Sequence, residues 1–113
     1  MNFKKLIARI TFHFVLLSAI ITSPASAQPD GQKLFKANCA KCHRPDSKLT
    51  GPALKGWKSR VPGGDWVYRW VNNSQKVIES GDEYAAKVFK EYNGTPMDPN
   101  PQLSNADVDA ILA

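Results

Sequence analysis

The chain has 113 residues, of which 42% are hydrophobic and 22% charged, with a formal net charge of +5 at pH 7. That length suits one small domain. Its fifteen bases are offset by ten acids, and such a mixed charge in an exported domain argues against nucleic acid as a partner.

Residues 1–27 read as a secretory signal. Lys4, Lys5 and Arg9 form a positive n-region, an apolar stretch runs from Ile10 to Ile21, and Ala25-Ser26-Ala27 is a small-residue cleavage site. Thr11, His13 and Ser18 interrupt the apolar stretch, which is shorter than the about 20 residues of a membrane span. Cleavage near Ala27 implies a periplasmic or otherwise exported protein; the alternative is an uncleaved segment that anchors the chain to a membrane. Taking 27 residues from 113 leaves 86, a single domain over residues 28–113 with a thin side-chain core. It keeps twelve bases against ten acids, a net +2, with His43 and Met97 as its only histidine and methionine.

Asp30 caps a first helix that runs to about Cys39 or Ala40. Leu34 and Phe35 share a side with Asn38, Cys39 and Cys42 by i+3 and i+4 spacing. Gly31 costs a helix roughly 1 kcal/mol relative to alanine, so it serves either close approach by another element or a frayed end. Pro45, Gly51, Pro52, Gly56, Pro62, Gly63 and Gly64 make residues 44–64 a loop region. Asp65 caps a helix to about Asn72, with Trp66, Val67, Trp70 and Val71 on its apolar face, and a short turn follows over 74–79. Gly81-Asp82 begins a helix whose stripe is Tyr84, Ala85, Val88, Phe89 and Tyr92, and Asn93-Gly94 stops it. After a proline-rich loop, Ser104 and Asp107 open a last helix as a capping box, with Asp in place of the usual Glu or Gln. No strand periodicity appears, so the fold class is all-α.

Charge is segregated. Residues 33–60 carry Lys33, Lys36, Lys41, Arg44, Lys48, Lys55, Lys58 and Arg60 against Asp46 alone, whereas residues 61–113 carry four bases against eight acids. Such a dipole orients a small protein towards a partner; a solvated lysine-rich loop is the plainer reading.

Cys39-Ala40-Lys41-Cys42-His43 spells C-x-x-C-H, the attachment signature of a covalently bound haem. Two thiols three positions apart on a helical turn can each add to one vinyl group of the same porphyrin. The histidine that follows is carried beneath the ring, where an imidazole nitrogen reaches the iron. A redox pair and half a zinc site are the alternatives. Zinc takes four Cys or His ligands, and beyond the motif the chain offers only His13. A thioredoxin-like pair belongs beside a βαβ pattern, which is absent here; a plain disulfide stays open. A porphyrin would supply much of the missing apolar core, so the haem-free chain is expected to be largely unfolded.

The sixth iron position needs a ligand. Met97, on the loop Asn93-Gly94-Thr95-Pro96-Met97-Asp98, is the candidate, because a thioether is a soft neutral donor that favours ferrous iron and raises the potential. A methionine that only fills a core gap is the alternative, with lysine or water then on the iron. Gly51-Pro52-Ala53-Leu54 follows His43 by eight residues. A carbonyl near Pro52 can accept the other imidazole N–H, and Leu54 can pack on the porphyrin; an ordinary turn and a core leucine are the plain alternatives. Trp57, Trp66, Trp70 and Tyr68 are candidates for the pocket wall, and an indole N–H or Arg60 for a haem propionate, although core packing is the commoner use of such rings.

Gly31-x-x-x-Phe35-x-x-x-Cys39-x-x-Cys42-His43, followed by Gly51-Pro52-x-Leu54 and by Met97 ahead of a final helix, resembles the class I c-type cytochromes, the monohaem cytochrome c family. The resemblance runs from about Asp30 to Ala113. It implies a small domain of four to five short helices wrapped around one covalent haem c, with the terminal helices crossing near Gly31 and Phe35. It also implies thioethers at Cys39 and Cys42, His43 as proximal ligand, Met97 as distal ligand and the Pro52 carbonyl on His43. Two features depart from the family pattern. Asp98 stands where a proline usually follows the methionine, with Pro99 next, and the last helix ends at Ala113, as in a truncated or short terminal helix.

The expected function is transfer of single electrons by an exported carrier that is not an enzyme and binds no small-molecule substrate. Its expected partners are redox proteins, above all membrane respiratory complexes, met by a monomer through a haem edge rimmed by Lys41 and Lys48. Two rivals remain: a permanent haem subunit of a larger respiratory or dehydrogenase complex, and a haem peroxidase or gas sensor with an open sixth site.

Overall fold

In the structure, a computed structural model that describes residues 27–113, chain direction is set by side-chain caps at helix starts. The signal reading of residues 1–27 lies outside the described residues, apart from Ala27. Asp30 is extended, and its carboxylate accepts the Lys33 N–H at 3.0 Å to open α1, Gly31–Asn38. The helix ends one or two residues before the sequence expectation. The haem motif follows on tight turns, with the Cys42 and His43 N–H groups both on the Cys39 carbonyl, at 3.0 and 2.9 Å.

A single 3-10 turn, Trp57–Ser59, interrupts the loop region. The helix α2, Trp66–Glu79, starts at Asp65, but the Asp65 carboxylate makes no capping bond and instead accepts from Arg69 Nε at 3.2 Å. Its backbone leaves helical geometry at Asn73 (φ −161°, ψ 94°). The expected helix to Asn72 and the turn over 74–79 are the two halves of this broken helix. In α3, Glu83–Glu91, Asp82 accepts the Ala85 N–H at 2.8 Å, and the helix stops at Asn93 and Gly94, both with positive φ (57° and 68°). The expected capping box opens α4, Asn105–Leu112: the Asp107 carboxylate accepts the Ser104 N–H at 2.9 Å, and Ser104 Oγ accepts the Asp107 N–H at 3.2 Å. The Ser104 hydroxyl, which donates to the Asp107 carboxylate at 2.6 Å, and the Ser104 N–H hold the Asp107 carboxyl below its ordinary value. Their support for α4 is therefore present above the usual carboxylate range and lost as pH falls through the lowered value.

Among the described residues there are four α-helices and no strand, and no helix is long and apolar enough to cross a membrane. The terminal helices α1 and α4 pack chiefly on each other. Gly31 is not frayed: a Cβ there would lie 1.8 Å from the Ala110 carbonyl oxygen, so the missing side chain sets the depth of the crossing. Tyr68 OH donates to Asp109 at 2.8 Å and Trp57 Nε1 to the Leu112 carbonyl at 3.3 Å, tying α4 to the rest. The buried apolar set is small: Trp66, Val67, Val77, Ala85 and Val108. Trp66 stacks on Trp70 at 5.0 Å and meets the edge of Tyr84 at 5.1 Å, while its indole N–H donates to Asp82 at 3.0 Å.

Gly31→Ala tests the crossing, because propensity and packing oppose each other there. Alanine favours the helix by about 1 kcal/mol, yet the overpacked crossing should cost more, about 1–3 kcal/mol before that offset. The guanidinium midpoint of the haem-loaded protein should fall; an unchanged or raised midpoint would separate the glycine from the α1–α4 contact.

Candidate haem site

Two adjoining cavities meet along Cys39, His43, Pro52, Trp70 and Met97. The inner one continues between Leu54, Trp57, Trp66 and Val108, and the outer one opens past Lys41, Cys42, Gly51 and Pro96. Together they form one crevice, with the C-x-x-C-H turn on one side and the Met97 loop on the other. Helices α2 and α3 supply much of its apolar wall.

His43 is held by its own downstream loop. Its Nδ1 donates to the Pro52 carbonyl at 2.8 Å, which assigns the proton to Nδ1 and leaves Nε2 with a free lone pair. The loop closes because the Gly51 N–H donates to the Cys42 carbonyl at 2.8 Å. Gly51 also leaves room for the ring, since a Cβ there would lie 2.4 Å from His43 Cε1 and 2.8 Å from Nδ1. Further along, Leu54 N–H donates to Arg44, and Arg60 donates to the Ala53 and Lys55 carbonyls. Leu54 stands in the crevice wall as expected.

Cys39 and Cys42 are half-buried free thiols. Burial pushes the Cys39 thiol up from its ordinary value, which keeps it neutral and slow in disulfide exchange at neutral pH. Among the described residues no group of three or more His, Cys, Asp or Glu side chains gathers to hold a metal ion, so the half-zinc-site reading finds no second half there.

Met97 is half-buried and faces both cavities. Its backbone is anchored by residues that the sequence reading did not single out. Ser74 Oγ donates to the Met97 carbonyl at 3.0 Å, and the Asn100 N–H is shared between the Val71 and Asn72 carbonyls at 3.1 Å each. The run Asn72-Asn73-Ser74 between the apolar positions Val71 and Val77 was the available signal, because such side chains compete for backbone groups.

The aromatic candidates divide. Trp57, Trp66 and Trp70 line the crevice. Tyr68 does not; its hydroxyl is engaged by Asp109 and its ring borders a separate surface groove. The indole N–H groups of Trp57 and Trp66 are already paired, with Leu112 and Asp82, which removes both as propionate donors. Arg60 reaches the crevice wall, beside Tyr84, Glu91 and Tyr92. Burial raises both tyrosine hydroxyls; Glu91 adds to the shift and Arg60 opposes it. Lys48 lies over the Tyr92 ring at 4.7 Å. Tyr84 and Tyr92, read from sequence as a helix's packing stripe, thus face the cofactor space.

The donor set fits a haem. An imidazole with its second nitrogen free, a thioether, two thiols at one rim and walls of tryptophan, valine and leucine surround one crevice, and the glycine beside the imidazole admits no larger residue. Replacing both Cys39 and Cys42 with serine should therefore leave a haem that dissociates on denaturation. Intact mass spectrometry under denaturing conditions should find haem on the wild type and bare polypeptide in the double variant; retained haem would place the covalent link elsewhere.

Residues 29–113 match the family model described as cytochrome c. Cytochrome c-551 of Stutzerimonas stutzeri is 55% identical over 84 residues, covering 74% of this chain and 71% of that protein. Cytochrome c-552 of Nitrosomonas europaea is 31% identical over 85 residues, covering 75% of this chain and 74% of that one. The solved structure of a cytochrome c from Rhodothermus marinus superposes with a TM-score of 0.58 at 30% identity, over 74% of this chain and 68% of that one. With its C-x-x-C-H turn facing an apolar crevice among four helices, the chain belongs to the cytochrome c family: it carries covalent haem c and is an electron carrier rather than an enzyme.

Proposed function

We propose that the protein is an exported carrier of single electrons, with His43 and Met97 as the two axial ligands. The observation that carries this reading is the His43–Pro52 bond at 2.8 Å, together with Met97 in the wall of the same crevice. Covalent haem supplies one-electron chemistry, cycling between ferric and ferrous iron. The chain's residues supply the rest. The Pro52 carbonyl fixes the His43 tautomer and makes the imidazole a stronger donor. The Met97 thioether favours the ferrous state and closes the second face to oxygen and peroxide. Trp57, Trp66, Trp70 and Val88 keep water from the crevice, which also raises the potential.

Docking would use the outer rim. Lys41 borders the crevice opening, and Lys48 and Leu49 are exposed nearby in sequence. Eight bases against one acid over residues 33–60 give this side a positive field, suited to brief contact with acidic patches on redox proteins such as membrane respiratory complexes. The positive n-region, apolar stretch and Ala25-Ser26-Ala27 support export.

Met97→Ala should keep the haem attached, lower the reduction potential and abolish the Met–iron charge-transfer band. Carbon monoxide should bind the reduced variant at least about tenfold faster than wild type, since no internal ligand competes. An unchanged spectrum would show that Met97 is not the distal ligand. Electron transfer to an acidic redox partner should slow several-fold as ionic strength rises from about 0.01 to about 0.2 M, over which the Debye length shrinks from about 30 Å to under 10 Å. A rate independent of salt would remove the lysine-rimmed docking surface from the model of function.

A further inference from the structure

The geometry points to the break in α2 at Asn73 as a clamp on the Met97 loop, with Ser74 as a positioning residue that governs how readily the distal ligand lets go. This rests on the reading of Met97 as an iron ligand.

A regular helix through residues 66–79 would have no free groups to offer a neighbouring loop, because its amides and carbonyls pair internally. The extended backbone at Asn73 changes that. The Lys76 N–H, which would continue the ladder to Asn72, goes instead to the Asn73 side-chain oxygen at 3.1 Å. That restarts the helix with a local cap. The Val71 and Asn72 carbonyls accept the Asn100 N–H from across the gap. Ser74, directly after the break, lies on the inward face. It is 1% exposed, and its hydroxyl donates to the carbonyl of Met97 itself.

The clamp grips both ends of a four-residue span. Ser74 holds residue 97, and the backbone of Asn100, 8% exposed, holds the other end. Inside the span, the Asn100 side-chain amide donates to the Asp98 carbonyl at 2.9 Å. Gln102 then links Asn100 to Asn38 at the end of α1, at 3.3 and 3.2 Å. Asp98 has no ring to lock its φ as a proline would, so hydrogen bonds do the work of stiffening here. Breaking the Ser74 bond leaves the carbonyl of the half-buried Met97 without that partner in the closed loop but free to find water in an open one. The closed state is penalised selectively.

Ser74→Ala in the full haem-loaded protein tests this, with imidazole as the probe ligand. Imidazole should bind the ferric variant about 3- to 10-fold more tightly than wild type, while haem attachment and helix content are retained. Ser80→Ala is the control. It deletes a hydroxyl–carbonyl bond, Ser80 to Val77 at 2.7 Å, at the C-terminal cap of the same helix and away from the loop, and should leave imidazole affinity at the wild-type value. If Ser74→Ala lowers the denaturant midpoint without changing imidazole affinity, the residue is structural only and the clamp is overturned. If Met97→Ala also leaves imidazole affinity unchanged, it is the ligand assignment that has failed. Amide exchange on unmodified protein gives a reading even where the serine variant does not fold. The Asn100 N–H should be protected about as strongly as the amides of α2, and exchange at the rate of the exposed loop would overturn the clamp.

Discussion

A chain that buries so few of its own apolar side chains must close around something else. Only five hydrophobic residues among those described are buried, and three of them, Trp66, Val77 and Ala85, form one small cluster. Most other large apolar side chains are half-buried, and many of them, Leu54, Trp57, Trp70, Val88 and Met97 among them, face the same space. In a domain of this size the apolar area removed from water barely offsets the conformational entropy of ordering the chain. Haem bound covalently through Cys39 and Cys42 turns those half-exposed walls into core. Cofactor attachment and folding are therefore one problem for this sequence. The helices converge on the crevice because that is where their apolar faces find a partner.

Parts of this arrangement were legible in the sequence wherever the controlling interactions are local. Asp30, Asp82 and Ser104 cap their helices within three residues, and the C-x-x-C-H spacing and the His43–Pro52 bond act within one short loop. Gly31 was ambiguous for the opposite reason. Whether it frays or packs depends on Ala110, far along the chain, which no local pattern reports. Tyr68 was misplaced because its helix carries an apolar side and a polar side with aromatics on both, and ring chemistry alone does not distinguish wall from outer face. Tyr84 and Tyr92 were legible as a buried stripe but not as cofactor-facing, since helical periodicity locates a face without naming what covers it.

The two faces of the crevice are built by different means. The His43 side is short-range. His43 and Pro52 are nine residues apart, and Gly51 between them both closes the loop and vacates the space that the ring fills. Such a unit loses little chain entropy on closing and depends on few other parts of the fold. The Met97 side is assembled from afar: the Met97 carbonyl hangs from Ser74 and the Asn100 N–H from Val71 and Asn72, more than twenty residues upstream. Its geometry is only as firm as the docking of α2 against α3 and α4.

That difference implies an order of events. Local opening draws on the least-connected parts of a structure. The Met97 loop is tied by a few long-range hydrogen bonds to α2 and, through Gln102, to the end of α1, while His43 is held by a closed loop beside the two cysteines that anchor the cofactor. Fluctuations will therefore open the Met97 side of the crevice first and leave the His43–Pro52 bond in place. An electron carrier is well served by that order. The covalent attachment and the short His43 loop keep the cofactor and its orientation, and, with Met97 on the iron as proposed, its loop would decide how far small ligands can compete. The break in α2 costs a helix its continuity, and in a protein with so little core to spare, retaining it makes physical sense only if the loop it holds matters more than the helical bonds given up.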